Sequence, residues 1–317
     1  MAIDITSQPL PGAEPENPAA YKQTLPGALS GFAAKNNVLS GSRNRHRTAR
    51  WTRRNFSSRA SELSGGTAIV VSIPKSGRTW LRAFVCAYFC KRFGLAFTLR
   101  PERYWRTDIP RLVFSHDLFE HRTKGDLWDW LRGKYLVPRK ELGRAKIILL
   151  TRDPRDCFVS LYLQITRRDP NAPLELTQKS VTEMLRDKRF GVRAIVQTMN
   201  DWMNEFSGRE NFTLIQYEAL RASPAEHFRD LLALLGEPMA DTPIFDEALE
   251  FSRFENMQKL EAAGAFDSKI LHPGNVRDPE SFKVRRGKVG GYREYLSAED
   301  QAYAASALAE LDVRFGY

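Results

Sequence analysis

The stretch VVSIPKSGRTWLRAF, residues 70–84, joins two apolar periodicities through a very short turn. A run of apolar residues from Ile69 to Ile73, interrupted only by a serine, is typical of a buried strand, whereas apolar residues recur at helical spacing from Trp80 to Tyr88. A tight strand-to-helix turn that contains a glycine and a lysine directs free backbone N–H groups at whatever lies above the helix N-terminus. The sequence therefore predicts a site for an oxyanion such as phosphate or sulfate, with a purely structural turn as the alternative.

Strand and helix signals alternate along the chain from about residue 67. Further strands are predicted over residues 111–115, 146–150 and 212–216. Further helices are predicted over residues 154–166, 181–206, 225–235 and 298–311, the last one capped by Ser297 with Asp300. This alternation predicts a single α/β domain with a central parallel sheet flanked by helices on both faces, in which the opening turn forms a P-loop-like nucleotide site.

Residues 1–64 differ in composition from the rest of the chain. They are rich in Pro, Ala, Gly, Ser and Asn and lack sustained apolar periodicity, so we predict a mostly disordered arm there and a folded domain over residues 65–317. Much of the formal net charge of +10 lies in this arm, because seven arginines and no acids occur between Arg43 and Arg59. Such a segment suits a polyanion or an anionic lipid, or it is a solvated tail that aids solubility, and both interpretations stay open.

Length and composition limit the class of protein. A chain of 317 residues with 42% hydrophobic content can bury a large core. It has no run of 18 apolar residues and no signal peptide, so we predict no membrane span and a cytoplasmic location. Cys86, Cys90 and Cys157 have neither disulfide-scaffold nor zinc spacing, and we predict that they are reduced packing residues.

A second candidate anion site follows the third predicted strand, in the sequence TRDPRD of residues 151–156. Arg152 lies at the carboxyl end of a parallel strand, where α/β sheets bind ligands, and Ser160 follows on the next helix. These two residues are placed to hold a phosphate group. The alternative is a surface arginine that pairs with Asp153 or Asp156.

A third candidate lies near the C-terminus, where VRRGKVGGY, residues 284–292, sets two arginines beside a glycine-rich loop. Paired guanidinium groups bind phosphate in a bidentate manner. The opening turn is not a Walker A loop, which requires G-x-x-x-x-G-K-[ST], and no Walker B acid is evident. These absences disfavour a P-loop-type nucleotide kinase. We keep it as one alternative, and a basic polyanion- or nucleic-acid-binding protein as another.

These three motifs, in this order, resemble those of the cytosolic sulfotransferases that use PAPS (3′-phosphoadenosine 5′-phosphosulfate), over residues from about Thr67 to Ser297. The resemblance implies that the first motif binds the 5′-phosphosulfate, that the second binds the 3′-phosphate, and that the third closes over that phosphate. The residues concerned are Lys75, Ser76, Gly77, Arg78, Thr79 and Trp80 in the first motif, Arg152 and Ser160 in the second, and Arg285, Arg286 and Gly287 in the third.

The resemblance also implies an adenine site formed by aromatic rings. Trp80, Tyr217 and Phe254 match these positions, with Ser252 as a further adenine contact and core packing as the alternative. The family motif G-D-W-K is replaced by GGYR at residues 290–293, and the family's C-terminal dimer motif is not recognisable. The oligomeric state is therefore left open.

The implied reaction moves a sulfuryl group from PAPS to a hydroxyl, or an amine, of a small-molecule or glycan acceptor and leaves PAP, the 3′,5′-diphosphate. Lys75 would neutralise charge on the bridging oxygen, and no metal is required because fixed cations and helix termini neutralise the nucleotide. Of the five histidines, His116 ends the second predicted strand and matches the family's Lys-Thr-His position, so we predict that it is the general base. Phe114 replaces the family's lysine, so one cation is missing or comes from elsewhere.

The acceptor pocket is expected in the variable loops over residues 95–110, 117–140, 168–190 and 260–283. The aromatic residues there, which line either the pocket or the core, are Phe97, Tyr104, Trp105, Trp128, Trp130 and Tyr135. Neither a nucleic-acid partner nor a particular acceptor is predicted.

Overall fold

The computed structural model describes residues 65–104, 108–238, 243–266 and 270–317. Within these ranges four parallel strands form a sheet in the order β2-β1-β3-β4. The strands are β1 Ala68–Ser72, β2 Leu112–Ser115, β3 Lys146–Thr151 and β4 Phe212–Gln216. Each predicted strand is confirmed to within one residue at either end. The predicted arm over residues 1–64 lies outside the described residues.

Helices connect and cover these strands. They are α1 Arg78–Arg92, α2 Asp117–Thr123, α3 Leu127–Arg132, α4 Arg139–Arg144, α5 Pro154–Leu163, α6 Leu174–Thr177, α7 Val181–Leu185, α8 Val192–Phe206, α9 Tyr217–Ala222, α10 Pro224–Leu235, α11 Pro243–Phe251, α12 Phe254–Ala262 and α13 Ala298–Leu308. The predicted cap of the last helix is confirmed, because the Asp300 N–H donates to Ser297 Oγ at 3.1 Å. That helix ends three residues earlier than predicted.

Two apolar layers cover the two faces of the sheet, because side chains alternate along each strand. Ile69 and Val71 of β1 pack with α5 and α8 on one face, whereas Ala68 and Val70 pack with α1 and α10 on the other. All five residues of β1 are buried, as expected for a strand covered on both sides. The predicted α/β class, with helices on both faces of a parallel sheet, is confirmed.

The single helix predicted over residues 181–206 is wrong, because α7 and α8 are separated at residues 186–191. The Asp187 carboxylate accepts the backbone N–H groups of Arg189 at 2.8 Å and Phe190 at 3.1 Å, and this local turn competes with helical hydrogen bonding. The turn also requires glycine at residue 191, because a Cβ there would lie 2.4 Å from the Leu185 carbonyl oxygen. Apolar residues continue across the break, which is why periodicity alone suggests one helix.

The α-helix predicted to reach residue 166 ends at Leu163 and continues as a π-helical turn, Gln164–Arg168. Single π turns inside helices often occur at functional sites. Both ends of this turn, Gln164 and Arg168, line the cleft that is described below.

No helix in the described ranges is both long enough and apolar enough to cross a membrane. Cys86, Cys90 and Cys157 are buried and unpaired, as predicted. Burial raises the pKa of the Cys157 thiol to about 12. Their burial agrees with the packing role predicted for them.

Candidate active site

The turn from β1 to α1 bends sharply enough that two of its residues take left-handed backbone angles. The φ angle is 77° at Lys75 and 91° at Gly77. Gly77 is the N-cap of α1, and a Cβ there would lie 2.6 Å from the Tyr217 ring, so this position requires glycine on both counts. No side chain caps α1, and the first residues of the helix line the cleft. The positive end of the helix dipole is therefore available to an anion.

Lys75 lies among other cations. Its Nζ donates to Gln164 Oε1 at 3.1 Å. Burial lowers the pKa of Lys75 well below its ordinary value, the positive charge of Arg168 lowers it further, and Glu261 partly opposes both effects. An anion bound beside Lys75 would therefore favour its charged form.

Arg152 connects three segments at the end of β3. Its guanidinium donates to the carbonyl oxygens of Lys75 at 3.2 Å and Lys288 at 3.1 Å, and it lies 4.5 Å from the centroid of the Tyr217 ring. Arg152 does pair with Asp156, at 3.6 Å, as the alternative interpretation proposed, but its side chain is only 13% exposed, so it is not a surface arginine. Its Nε is buried and has no hydrogen-bond partner among the described residues. A buried donor without a partner is costly, and a bound anion would satisfy it.

Asp156, which the motif analysis did not assign a role, fixes the C-terminal loop against the second motif. Its carboxylate accepts the backbone N–H groups of Gly290 at 2.8 Å and Tyr292 at 2.9 Å. The residue is 3% exposed, so these bonds are shielded from water. They hold the loop over Arg152 although GGYR replaces the family's usual residues there.

The two arginines of the third motif are held by acids from their own segment. Glu280 accepts from Arg285 and from Arg286, each at 3.0 Å, and Glu294 also pairs with Arg286. The Tyr295 ring lies 5.0 Å and 5.7 Å from the two guanidinium carbons. Burial opposes ionisation of Glu280, but the Tyr295 hydroxyl and the arginine charges lower the pKa of this carboxyl. The guanidinium groups are thereby held beside each other at the cleft.

Aromatic rings border another part of the cleft. Trp80 and Tyr217 meet edge to face with centroids 6.0 Å apart. Gly287 packs on Phe254 so closely that a Cβ would lie 2.7 Å from the ring, and its carbonyl accepts from the Tyr217 hydroxyl at 3.3 Å. Arg221, which the sequence did not suggest, lies 5.7 Å from the rings of both Trp80 and Phe254.

His116 follows β2 directly and lies beside the end of β1. Its Nδ1 is 2.7 Å from the Ser72 carbonyl oxygen, so that nitrogen donates and Nε2 is left as an acceptor. Burial lowers the pKa of His116 well below its ordinary value, and the charge of Arg78 lowers it further, whereas the bond to Ser72 opposes both. The lowered pKa favours the neutral imidazole, which is the form that can accept a proton.

Asp117, which the sequence did not suggest, anchors the corner that carries His116. Its φ is 41°, and its buried carboxylate accepts the Val137 N–H at 2.7 Å and the Trp202 indole N–H at 2.8 Å. Such strain is tolerated only where several contacts fix the backbone.

One cleft of about 740 Å³ is lined by all of the predicted site residues except Ser76. Ser76 is buried beneath the loop, with its Oγ 3.5 Å from Cys157 Sγ. The lining includes Thr79, Ser160 and Ser252, and Ser252 Oγ donates to the Leu249 carbonyl at 3.1 Å. Among the described residues no three His, Cys, Asp or Glu side chains come together as a possible metal site.

Other cleft residues were not named individually from the sequence, because they belong to no motif, although Arg168 and Lys283 fall within the loops expected to form the acceptor pocket. They include Gln164 and Arg168 of the π turn and Lys283, two residues before the paired arginines. Phe114 does not line the cleft; its ring is buried, with the guanidinium carbon of Arg82 4.2 Å from its centroid. No signal in the sequence distinguishes these residues from ordinary surface or core positions.

The aromatic residues proposed as acceptor-pocket candidates lie elsewhere. Of those that the structure describes, none lines the cleft. Phe97 packs against Phe251 and Phe266, Tyr104 is buried against Cys86, and Trp128 is 66% exposed. Trp105 lies outside the described residues. The aromatic residues that line the cleft away from the predicted adenine site are Phe119, Phe190, Tyr292 and Tyr295.

Solved structures of known proteins share this fold. A mouse sulfotransferase, SULT7A1, complexed with PAP matches with a TM-score of 0.51 and 17% identity, over 77% of this chain and 84% of that one. Retinol dehydratase in complex with androsterone and the inactive cofactor PAP matches with a TM-score of 0.53 and 16% identity, over 77% and 79% of the two chains.

Sequence comparison identifies more similar proteins. Sulfotransferase 2B1 of Rattus norvegicus is 26% identical over 263 residues, which cover 74% of this chain and 68% of the relative. Cytosolic sulfotransferase 14 of Arabidopsis thaliana is 24% identical over 269 residues, which cover 76% and 73%. The family model of the sulfotransferase domain matches residues 66–311, which include all three motifs and His116. The chain therefore belongs to the sulfotransferase family, which favours sulfuryl transfer over the kinase and polyanion-binding alternatives.

Proposed function

We propose that this sulfotransferase uses PAPS and transfers its sulfuryl group to a hydroxyl, or less readily an amine, of the acceptor, with His116 as general base. The observation that carries the proposal is the placement of Lys75, Arg152 and His116 around one cleft at the carboxyl ends of the strands. Ligands of parallel α/β sheets bind at this edge.

The residues fit the nucleotide. The 5′-phosphosulfate would lie on the loop Lys75–Trp80, and the 3′-phosphate beside Arg152, Ser160 and the pair Arg285 and Arg286. The buried Nε of Arg152 supports this assignment, because an oxyanion would give it an acceptor. The adenine would lie among Trp80, Tyr217 and Phe254, near Ser252.

PAPS supplies a sulfuryl group on a phosphate leaving group, so positioning and charge stabilisation are the tasks of the protein. His116 Nε2 would accept the proton of the acceptor hydroxyl. Lys75 would neutralise the charge that develops on the bridging oxygen, and the N–H groups at the start of α1 would hold the non-bridging oxygens.

We propose a small-molecule or glycan acceptor and a cytoplasmic location. Androsterone, which is bound in one of the similar structures, is a small hydroxyl-bearing molecule, and the Arabidopsis relative is named cytosolic. In this chain the cleft extends past His116 to Phe119, Leu176 and Phe190, an apolar wall that suits the carbon skeleton of such an acceptor.

Replacing Arg286 with Ala is expected to weaken PAP binding by about tenfold or more, which is the scale of losing a hydrogen bond between charged groups. Adenosine 5′-phosphosulfate lacks the 3′-phosphate, so its affinity should stay nearly unchanged. Calorimetric titration of both nucleotides measures the difference. Arg152→Ala should show the same selectivity, with some additional loss because Arg152 also holds two loop carbonyls.

Arg193→Ala is the matched control. Arg193 is 43% exposed and pairs with Glu310, whereas Arg286 is 47% exposed and also pairs with acids, but only Arg286 lines the cleft. Equal losses of both nucleotides in the Arg286 variant would contradict its assignment to the 3′-phosphate.

Deleting residues 1–60 is expected to leave the melting temperature and the affinity for PAP nearly unchanged, because this segment lacks the apolar periodicity needed to contribute to a core. Thermal unfolding with and without PAP measures both quantities, since PAP stabilises the state that binds it. A truncated protein that fails to fold would show instead that the arm is part of the domain.

A further inference from the structure

Lys283 is held at the cleft by contacts on both its backbone and its side chain. The two carboxylate oxygens of Glu261 accept the backbone N–H groups of Lys283 and Val284, each at 2.7 Å, and Glu261 has no exposed surface. The Lys283 ammonium donates to the Ile270 carbonyl at 2.6 Å. An ammonium has three N–H donors, and this is the one hydrogen bond that it makes within the described residues. The remaining donors are available to a ligand in the cleft.

The surroundings of this ammonium are cationic. Burial lowers the pKa of Lys283 well below its ordinary value, and the charges of Lys75, Arg168, Arg78 and Arg82 lower it further. The carboxylate of Glu261 already serves two backbone N–H groups. A largely desolvated cation that pairs with no carboxylate in the described part of the chain is costly, so the folded protein retains Lys283 here at the expense of stability. A multiply charged anion in the cleft would offset that cost.

The neighbours of Lys283 indicate which part of the nucleotide it faces. Its largest charge interaction is with Lys75, and its own charge contributes to lowering the pKa of His116. Lys283 lines the same cleft as Lys75 and His116, the two residues proposed to flank the reacting atoms, and its charge interacts with both of them.

We propose that Lys283 is a second catalytic cation, which contacts the non-bridging oxygens of the transferring sulfuryl group. This inference rests on the proposed use of PAPS. In the step, the bond between sulfur and the bridging oxygen breaks and a bond from sulfur to the acceptor oxygen forms. The acceptor proton goes to His116, and Lys283 keeps its proton throughout. Its charge stabilises the sulfuryl oxygens as the group passes between donor and acceptor.

The test compares equilibrium affinities for PAPS and PAP, which differ by the sulfuryl group, and needs no acceptor. In Lys283→Met, which keeps the length of the side chain and removes its charge, PAPS should bind about tenfold or more weakly, while PAP affinity stays within about twofold. Lys283→Arg should retain most of the PAPS affinity. With an acceptor in hand, kcat of Lys283→Met should fall by about 10²-fold, the scale of one lost oxyanion donor.

Lys259→Met is the control, because Lys259 is exposed on α12, the helix that carries Glu261, and does not line the cleft. Thermal unfolding of each variant identifies any that fails to fold. If Lys283→Met does not fold, the affinities of Lys283→Arg for PAPS and PAP are compared instead. Unchanged PAPS affinity in Lys283→Met, or equal losses of PAPS and PAP, would overturn this inference. Failure of the unaltered protein to bind either nucleotide would instead overturn the proposed function.

Discussion

Replacing His116 with Asn is expected to lower kcat by about 10²-fold or more, the usual scale for a general base, while PAP still binds normally. An asparagine amide can donate to the Ser72 carbonyl as Nδ1 does, but it has no basic nitrogen in place of Nε2. The substitution therefore removes the proton acceptor and keeps the local structure. Steady-state kinetics and PAP titration measure the two effects separately.

The pH dependence gives a second measurement of the same residue. Because the pKa of His116 is lowered in the folded protein, the neutral form persists below the ordinary histidine range, and activity should fall only at pH values under about 6.5. The acid limb should disappear in His116→Asn. His121→Asn is the control, because His121 is buried against Trp130 and does not line the cleft. Near-normal turnover in the His116 variant, or an inactive His121 variant that still folds, would contradict the assignment.

Replacing Lys75 with Gly is expected to separate catalysis from stability. The variant should lose about 10²–10³-fold in kcat, because no cation then neutralises the leaving oxygen. Its free energy of unfolding should stay within about 1 kcal/mol of the unaltered protein. Glycine relieves the left-handed strain at φ 77°, and this gain offsets the lost hydrogen bond to Gln164.

Gln164→Ala serves as the comparison for Lys75→Gly, because it removes the partner of the ammonium and leaves the charge in place. Its kcat should fall much less than that of the Lys75 variant. Denaturant unfolding and steady-state kinetics measure both quantities. If Lys75→Gly unfolds far more readily than the unaltered protein, Lys75 supports the fold and not only the chemistry.

The strands were predictable because each is a short, largely apolar run that ends at or near polar residues or a proline. KIILL at residues 146–150 and FTLIQ at residues 212–216 match β3 and β4 almost residue for residue. A covered parallel strand needs such a run, as in β3, where five of six residues are buried, whereas only Ile215 is buried in the edge strand β4. The helix break at residues 186–191 was not predictable in this way, because it depends on a side-chain turn at Asp187 and on close packing at Gly191.

Placement at the cleft was predictable where a motif lies within one turn or one strand end, as at Lys75 and Arg152. Arg168 and Lys283 reach the cleft only through the tertiary fold. Arg168 lies on the π turn, and the backbone N–H of Lys283 is held by the Glu261 carboxylate. The acids that hold Arg285 and Arg286 were also missed, because Glu280 and Glu294 lie on either side of the motif and meet it only when the loop folds back. Contacts of this kind produce no recognisable pattern of residue spacing in the sequence.

The most direct test of the account follows radiolabelled sulfate from PAPS into a panel of phenols, sterols, sugars and peptides. The account predicts label in at least one class of acceptor, an equal amount of PAP released, and loss of both in His116→Asn. A protein that transfers no label to any class, is not stabilised by PAP, and binds ATP with Mg²⁺ would contradict the proposal that PAPS is the donor.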